Sequence, residues 1–406
     1  MEEWKEYKLG EVCDLIAGYA FKAQDFGAYP QKVIRIGDIN PPFVNTSGAI
    51  GVDISKYDSN KLTKYVVSYG DFVLAMTGAT IGKIGRYIDK FDSMLNQRVL
   101  LFKPKTVFNP SYIYYILTSN NFQQYVINHI DSQSAQPNIS ANTISKYIFR
   151  MPSKKEEQKK IASILKSLDD KIENNRRINE NLEQQAQVLF KSWFVDFEPF
   201  RDQPFVDSEL GMIPEGWRVG TLSEIALINP NRTLKKGQNA MYLDMKNMPT
   251  SGSFPINWEK KEYSGGMKFQ NKDTLMARIT PCLENGKVAY VNFLNDDEIA
   301  FGSTEYIVMT AKEGYIPELL YFLCRDQAFK DYATVNMNGS SGRQRVSGDV
   351  IGNYKIAIPP KTVFDFLANY YKSVMDVIKR NGYEIKNLAQ LRDTLLPKLM
   401  SGEISL

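Results

Sequence analysis

The segment Gly78-Ala-Thr-Ile-Gly-Lys-Ile84 brings glycine and lysine together in a pattern close to that of a phosphate-binding loop. Such loops use glycine so that backbone amides can approach phosphate oxygens, lysine to neutralise charge, and Ser or Thr to hold Mg²⁺. Here the spacing is one residue short, and Ile84 stands where Ser or Thr is required. The pattern therefore favours a turn between strands. Lys83 and Arg86 remain candidate contacts to nucleic-acid phosphates, as does Lys287, which takes the place of Lys83 in the second copy of an internal repeat described below.

A second motif, Asn40-Pro-Pro-Phe43, matches the signature with which adenine methyltransferases bind a flipped base. In those enzymes the Asn side chain and a Pro carbonyl accept hydrogen bonds from the base, and the aromatic ring stacks on it. However, residues 1–39 contain no glycine-rich cofactor loop, and a related segment later in the chain reads Asp244-Met-Lys-Asn-Met-Pro. Because Asn-Pro-Pro is also strong loop punctuation, we interpret the motif as a turn.

Few residues are available for metal binding or nucleophilic catalysis. His129 is the only histidine, which excludes most multi-histidine metal sites and Ser-His-Asp triads. Cys13, Cys282 and Cys324 are scattered and odd in number, so neither a disulfide framework nor a zinc cluster is indicated. The acidic residues show no Pro-Asp…Glu-x-Lys nuclease pattern. We therefore expect no catalytic residue, no metal and no cofactor on this chain.

Two polar loops, Asp131–Ser140 and Asn338–Ser347, have a chemistry suited to reading base edges. Gln and Asn can bond adenine through two contacts, and Arg can do the same with guanine. A solvated loop that packs beneath the following strand is an equally open interpretation. The candidate base contacts are Gln133, Gln136, Asn138, Arg343, Gln344 and Arg345.

Composition places the chain among ordinary globular proteins. Its 406 residues are 43% hydrophobic and 24% charged, enough for two to four domains with cores. The net charge of +4 permits nucleic-acid binding without arguing for it. The sequence contains no run of eighteen apolar residues, so no transmembrane helix is predicted. The N-terminus lacks the apolar core of a signal peptide. A cytoplasmic location is expected.

The chain contains an internal repeat of about 207 residues. The matches keep their order over about 150 residues, and their offset drifts where connecting loops differ in length. Near the start of each copy, Trp4, Leu9 and Glu11 recur as Trp217, Leu222 and Glu224. Further along, Asp71, Ala75, Gly82 and Lys83 recur as Asp273, Ala277, Gly286 and Lys287. Finally, Pro110, Tyr114, Ser140, Tyr147 and Pro152 recur as Pro317, Tyr321, Ser347, Tyr354 and Pro359.

Each repeat divides into a globule and a long helix. Short apolar runs at 32–36, 72–76 and 98–102 predict strands, and 110–125 predicts a helix, so we expect a mixed α/β globule that is mainly β. Glycine and proline are absent from 155–193, which predicts an unbroken helix. The predicted boundaries are 1–152 and 205–360 for the globular domains and 153–204 and 361–406 for the helical regions.

Apolar residues at steps of three and four predict that the two long helices pair along a coiled-coil seam. Asn175 and Asn179 fall in the middle of the first helix, and Asn381 takes a similar place in the second; Pro397 and Gly402 are expected to disturb or end it. If the repeats are related by a two-fold axis, the helices run antiparallel and separate the two globules. The predicted seam residues are Ile161, Leu165, Leu168, Ile172, Asn175, Leu182, Leu189, Ile378, Ile385, Leu388 and Leu395.

The order globule–helix–globule–helix resembles that of the specificity subunits of type I restriction-modification enzymes. Three local segments strengthen the resemblance: 209–217 resembles the opening of the second target-recognition domain, 189–200 the end of the central conserved region, and 391–404 the closing segment of the distal one. The turn at 78–85 is typical of the recognition domains. The resemblance covers essentially the whole chain.

This resemblance implies a non-catalytic DNA-recognition protein. Each globule is expected to read one half of a bipartite, asymmetric target in double-stranded DNA, and the helices are expected to act as spacer and docking surface for two modification subunits. Those subunits would carry S-adenosylmethionine and methylate adenine, while separate restriction subunits, with ATP and Mg²⁺, would translocate and cut DNA. Two alternatives stay open: a duplicated coiled-coil scaffold with protein-binding heads, and a stand-alone adenine methyltransferase resting on Asn40–Phe43 alone.

Overall fold

A computed structural model describes residues 4–131, 137–340 and 342–404. The chain forms two compact units. The first runs to Asp170 and resumes at Leu388, and the second comprises Lys171–Asn387. Each unit therefore contains one globular head and a part of each long helix. The four-part division expected from the sequence stays a prediction.

The first unit holds a β-rich head with a few short helices and the first part of a long helix. Three sheets have the strand orders β1-β12, β6-β3-β10-β7 and β2-β11-β8-β9-β5-β4. The elements are β1 Trp4–Lys8, α1 Leu9–Val12, β2 Cys13–Ala17, β3 Phe26–Ile34, β4 Ile39–Asn40, β5 Phe43–Val44, β6 Gly51–Val52, α2 Ser59–Leu62, β7 Val66–Val67, β8 Phe72–Ala75, β9 Ile84–Arg86, β10 Ser93–Leu95, β11 Val99–Pro104, α3 Pro110–Thr118, α4 Asn120–Asn128, α5 Ala141–Ser145, β12 Ile148–Pro152 and α6 Lys155–Phe194.

The second unit repeats this succession. Its sheets have the orders β13-β14, β15-β24, β16-β23-β20-β21 and β18-β17-β22-β19. The elements are β13 Phe205–Val206, β14 Ile213–Pro214, β15 Arg218–Thr221, α7 Leu222–Ile225, β16 Ala226–Ile228, β17 Asn239–Leu243, β18 Glu259–Glu262, β19 Met267–Phe269, β20 Asp273–Ala277, β21 Val288–Tyr290, β22 Ala300–Gly302, β23 Tyr306–Ala311, α8 Pro317–Arg325, α9 Gln327–Val335, α10 Gly348–Gly352, β24 Lys355–Ile358 and α11 Lys361–Ser401.

The predicted duplication is confirmed in the sheets. Strands β6-β3-β10-β7 of the first head correspond in order to β18-β17-β22-β19 of the second, and β2-β11-β8-β9 correspond to β16-β23-β20-β21. Both heads also pair their first strand antiparallel with the strand that precedes the long helix, β1 with β12 and β15 with β24. The predicted mixed α/β class with two β-rich heads and two long helices is therefore observed.

The single helix predicted at 110–125 is wrong, because the structure has two helices, α3 and α4, that meet at Ser119. This residue has an extended backbone, and its hydroxyl accepts a hydrogen bond from the Phe122 amide (3.3 Å), so it starts a new helix. Asp326 separates α8 from α9 in the same way. Similarly, β3 ends at Ile34 rather than at Ile36, where a 3-10 turn begins.

Of the two residues predicted to disturb or end α11, Pro397 does not interrupt the helix and Gly402 follows its end. Helix α11 continues through Pro397, and it ends at Ser401, before Gly402, whose φ of 78° lies in the left-handed region that favours glycine. Among the described residues, no helix is long and apolar enough to cross a bilayer.

Within each unit the two long helices pack against each other. In the first unit, Asp169 of α6 accepts a hydrogen bond from Arg392 of α11 at 2.8 Å. In the second, Asn175 donates to Glu384 (2.8 Å) and the Tyr371 hydroxyl donates to the Ala186 carbonyl (3.3 Å). Residue numbers rise along one helix as they fall along the other, so the helices run antiparallel.

The predicted seam residues are buried or half-buried. Asn175 is buried but bonded to Glu384, and Asn381 donates to Asn179 at 2.8 Å, so the buried amides between the helices have hydrogen-bond partners. The predicted seam residues of the first unit are Ile161, Leu165, Leu168, Leu388 and Leu395. Those of the second unit are Ile172, Asn175, Leu182, Leu189, Ile378 and Ile385, and the assignment of both sets to one seam stays a prediction.

Gly382 of α11 allows the second head to pack directly on this helix. A Cβ at this position would lie 2.5 Å from Cδ1 of Phe254, whose ring also packs against Tyr383 and Trp258.

We expect Gly382→Ala to lower the free energy of unfolding by roughly 1 kcal/mol, because the overpacking cost of about 1–3 kcal/mol exceeds the gain of about 1 kcal/mol in helix propensity. Urea unfolding would measure this change. Asn387→Ala, at an exposed position of the same helix, is the control, and a Gly382→Ala protein more stable than the parent would contradict the packing argument.

Candidate nucleic-acid interface

The turn after β8 and the polar loop after α4 lie side by side in the first head. The Gly78 amide donates to the Pro137 carbonyl at 3.1 Å, and the Ile139 amide donates to the Met76 carbonyl at 3.0 Å. A third segment joins them, since the Met76 amide donates to the carbonyl of Arg98, just before β11, at 2.9 Å. We call this meeting point of the three segments the junction.

The second head builds its junction with the same bonds. The Thr280 amide donates to Gln344 (3.1 Å), the Val346 amide to Arg278 (3.0 Å), and the Arg278 amide to Glu305 (3.0 Å). These bonds join main-chain atoms only. The backbone of the junction is therefore the same in both heads, whatever side chains it carries.

Local features hold the junction in place on either side. Gly82 and Gly286 have φ values of 85° and 69°, and a Cβ on Gly82 would lie 3.3 Å from Oε1 of Gln123 in α4. At the end of each polar loop, the hydroxyls of Ser140 and Ser347 cap α5 and α10. Glycine thus fixes the shape of the turn, and serine fixes where the polar loop ends.

The predicted residues of the first head have different environments. Lys83 and Asn138 are exposed at the junction. Arg86 is half-buried, and its guanidinium lies 4.4 Å from the ring centroid of Tyr114, so it packs on the core. Gln133 and Gln136 lie outside the described residues.

In the second head, Arg343 and Gln344 are exposed, but Arg345 is bonded to the protein. Its Nη2 lies 2.7 Å from Oε1 of Glu305 and its Nε 2.9 Å from Oε2. Hydrogen bonding by Arg345 lowers the pKa of the Glu305 carboxyl, and the same bond raises the pKa of Arg345. Lys287 is also occupied, because its Nζ donates to the Met245 carbonyl at 2.6 Å. A phosphate contact by Lys287 would have to replace this bond.

Sequence reasoning missed three charged residues at or beside the junctions. Arg98 and Glu305 are 207 positions apart and each precede the equivalent strand, so aligning the two repeats was the signal that could have found them. Arg325 gave no such signal. Its guanidinium donates to the carbonyls of Thr250 (2.8 Å) and Gly286 (2.7 Å), which ties two loops together next to the turn.

The Asn40–Phe43 motif forms a turn. Asn40 and Phe43 face each other as a pair between β4 and β5, and the Pro42 carbonyl accepts a hydrogen bond from the Arg86 amide at 2.9 Å.

Among the residues that the structure describes, no group of three or more His, Cys, Asp or Glu side chains could hold a metal ion. The junctions offer hydrogen-bond donors and acceptors and positive charge through their exposed side chains, among them Lys83, Asn138 and Arg343.

Comparison with known proteins identifies relatives along the whole chain. The HindI specificity subunit of a type I restriction enzyme from Haemophilus influenzae is 25% identical over 100% of both chains. The MjaIX specificity subunit from Methanocaldococcus jannaschii is 28% identical over 82% of this chain and 77% of that protein. A crystal structure of a type I restriction-modification S subunit from M. genitalium shares the fold, with a TM-score of 0.59 at 15% identity and coverage of 98% of this chain and 96% of that one.

The family model for the type I restriction modification DNA specificity domain matches twice, at residues 1–184 and at 214–387. One match covers each repeat, and together they include both junctions. Since these two matches account for most of the sequence, the chain belongs to the family of type I restriction-modification DNA specificity proteins.

Proposed function

We propose that each head reads one half of a bipartite, asymmetric DNA target through its junction. The observation that carries this proposal is the occurrence, twice in one chain, of the same hydrogen-bonded junction bearing different exposed polar side chains. As a member of this family, the chain is the DNA target-specificity subunit of a type I restriction-modification system and is itself non-catalytic. Two similar readers on one such subunit fit a target with two dissimilar halves.

Across the two junctions we assign two kinds of contact. Exposed Lys83 is suited to a phosphate, which gives affinity and register without sequence information. The amide of Asn138 in the first head, and Arg343 and Gln344 in the second, are suited to base edges in the major groove. Gln133 and Gln136 belong to the same proposal for the first head. Arg86 and Lys287 support it less, because both already contact protein groups.

We further propose that the paired helices dock two modification subunits, which bind S-adenosylmethionine and act in the cytoplasm together with ATP-dependent restriction subunits. In the second unit, Phe366 of α11 is 71% exposed although it stacks on Trp193 of α6 at a centroid distance of 5.4 Å. Tyr370, one turn further along α11, is 37% exposed, and Val188 of α6 is 68% exposed. Phe366 and Tyr370 lie one turn apart on α11, and neighbouring exposed apolar side chains are typical of protein interaction sites.

The base-reading assignment predicts a change confined to one half-site. Arg343→Ala with Gln344→Ala should relax the second half of the target, at a cost of about 1–3 kcal/mol for each true base contact, and leave the first half unchanged. The measurement is methylome sequencing with the reconstituted complex. Lys236→Ala removes one exposed positive charge from the same head and should leave the motif intact. If the first half-site changes instead, the assignment of heads to half-sites is wrong.

The docking assignment predicts a separate loss. Phe366→Ala with Tyr370→Ala should weaken assembly with the modification subunits without unfolding the chain, because Phe366 is 71% exposed and Tyr370 is 37% exposed, so neither belongs to the buried core. Analytical ultracentrifugation of the mixed subunits would measure assembly, and circular dichroism would monitor the fold. Ser373→Ala, at an exposed position on the same helix, is the matched control. Unchanged assembly would place the docking surface elsewhere.

A further inference from the structure

The two junctions share a backbone but differ at three corresponding side chains. The correspondence comes from the shared hydrogen bonds: one residue follows the central strand β8 or β20, one precedes β11 or β23, and one lies in the polar loop. In the first head these residues are Met76, Arg98 and Asn138. In the second head they are Arg278, Glu305 and Arg345.

The contacts of Arg345 leave two N–H donors of its guanidinium available. A guanidinium has five N–H donors. Among the described residues, Nε and Nη2 donate to Glu305, and Nη1 donates to the Arg343 carbonyl at 3.0 Å. One N–H on each terminal nitrogen therefore remains. Arginine bonds O6 and N7 of guanine through two N–H donors, and this number remains on Arg345.

Glu305 is held as an anion beside Arg345. Its carboxyl has a lowered pKa, first because Arg345 donates to it and further because Arg278 is close, so it stays ionised at neutral pH. The side chain of Arg345 is 39% exposed and that of Glu305 is 24% exposed, so the pair lies at the surface of the junction. A bidentate carboxylate fixes the plane of the guanidinium as well as its position.

The first head places its charge differently. Arg98 occupies the position of Glu305 and is exposed, while the exposed amide of Asn138 occupies the position of Arg345. Arginine suits guanine, and asparagine suits adenine. The first junction thus offers a different pair of donors and acceptors from the same backbone positions.

We propose that Glu305 is a positioning residue that makes Arg345 a pre-oriented guanine reader, and that Arg98, at the equivalent position of the first head, determines specificity in the other half-site. This inference rests on the proposed function, and it names residues of that site. It requires that a change at either position alters base preference in one half of the target only.

The test uses the complex of the full chain with its modification subunits. Methylation rates are measured on the wild-type target and on targets with each base pair changed in turn. Glu305→Gln should reduce discrimination at one guanine of the second half-site by roughly 5- to 150-fold, the equivalent of one bidentate contact. Arg345→Ala should affect the same base pair, and the double variant should be no worse than Arg345→Ala alone. Glu313→Gln, an exposed carboxylate of the same head, should change nothing.

Arg98→Ala should reduce discrimination only in the first half-site, with Lys90→Ala as its control for lost charge. If the wild-type complex reads a bipartite target but Glu305→Gln and Arg98→Ala leave every base preference unaltered, the inference is overturned and the proposed function stands. An equal loss at all positions would also overturn it, because that pattern indicates a merely structural role. A wild-type complex without a bipartite target would overturn the proposed function itself.

Discussion

The main-chain hydrogen bonds of the junction are the constraint on which the rest of each head depends. A loop rich in polar residues has amides that must find partners, since an unpaired buried amide costs about 1–3 kcal/mol. In both heads a loop amide finds its partner in the carbonyl of the residue that follows the central strand, Met76 for Ile139 and Arg278 for Val346. Because these bonds involve no side chain, the residues at the junction can change without loss of the fold. The same backbone can therefore carry different side chains in the two heads.

The second unit shows how a head is secured to the helices. Glu183 of α6 accepts hydrogen bonds from the Ser253 amide (2.7 Å) and from the Tyr321 hydroxyl (3.0 Å). On the second long helix, α11, Gly382 leaves room for the Phe254 ring to pack against the helix. These contacts join loops and α8 to both helices, so the β sheets that carry the junction are attached to the helix pair by several elements. In the first unit the Tyr115 hydroxyl donates to Asp169 at 2.7 Å, which attaches α3 to α6.

The sequence predicts the parts of this structure that depend on periodicity and on repetition. Apolar steps of three and four, without glycine or proline, identify α6, and the ordered matches identify the duplication. The break at Ser119 was missed because the apolar pattern continues through it, while a single side-chain cap decides the outcome. The pairing of Arg345 with Glu305, 40 residues apart, could not be predicted from spacing, since only the strand order brings them together. The bond from Lys287 to the Met245 carbonyl was beyond prediction for the same reason.

The central claim is that both junctions face the bases of a bound target. A cryo-electron microscopy structure of the assembled complex on its methylation site would test it directly. We expect side chains of both junctions, among them Arg98 and Arg345, to lie within hydrogen-bond distance of base edges in the major groove, one junction on each half-site. A complex in which the DNA passes over another surface of the heads, with both junctions facing solvent or a partner subunit, would contradict it.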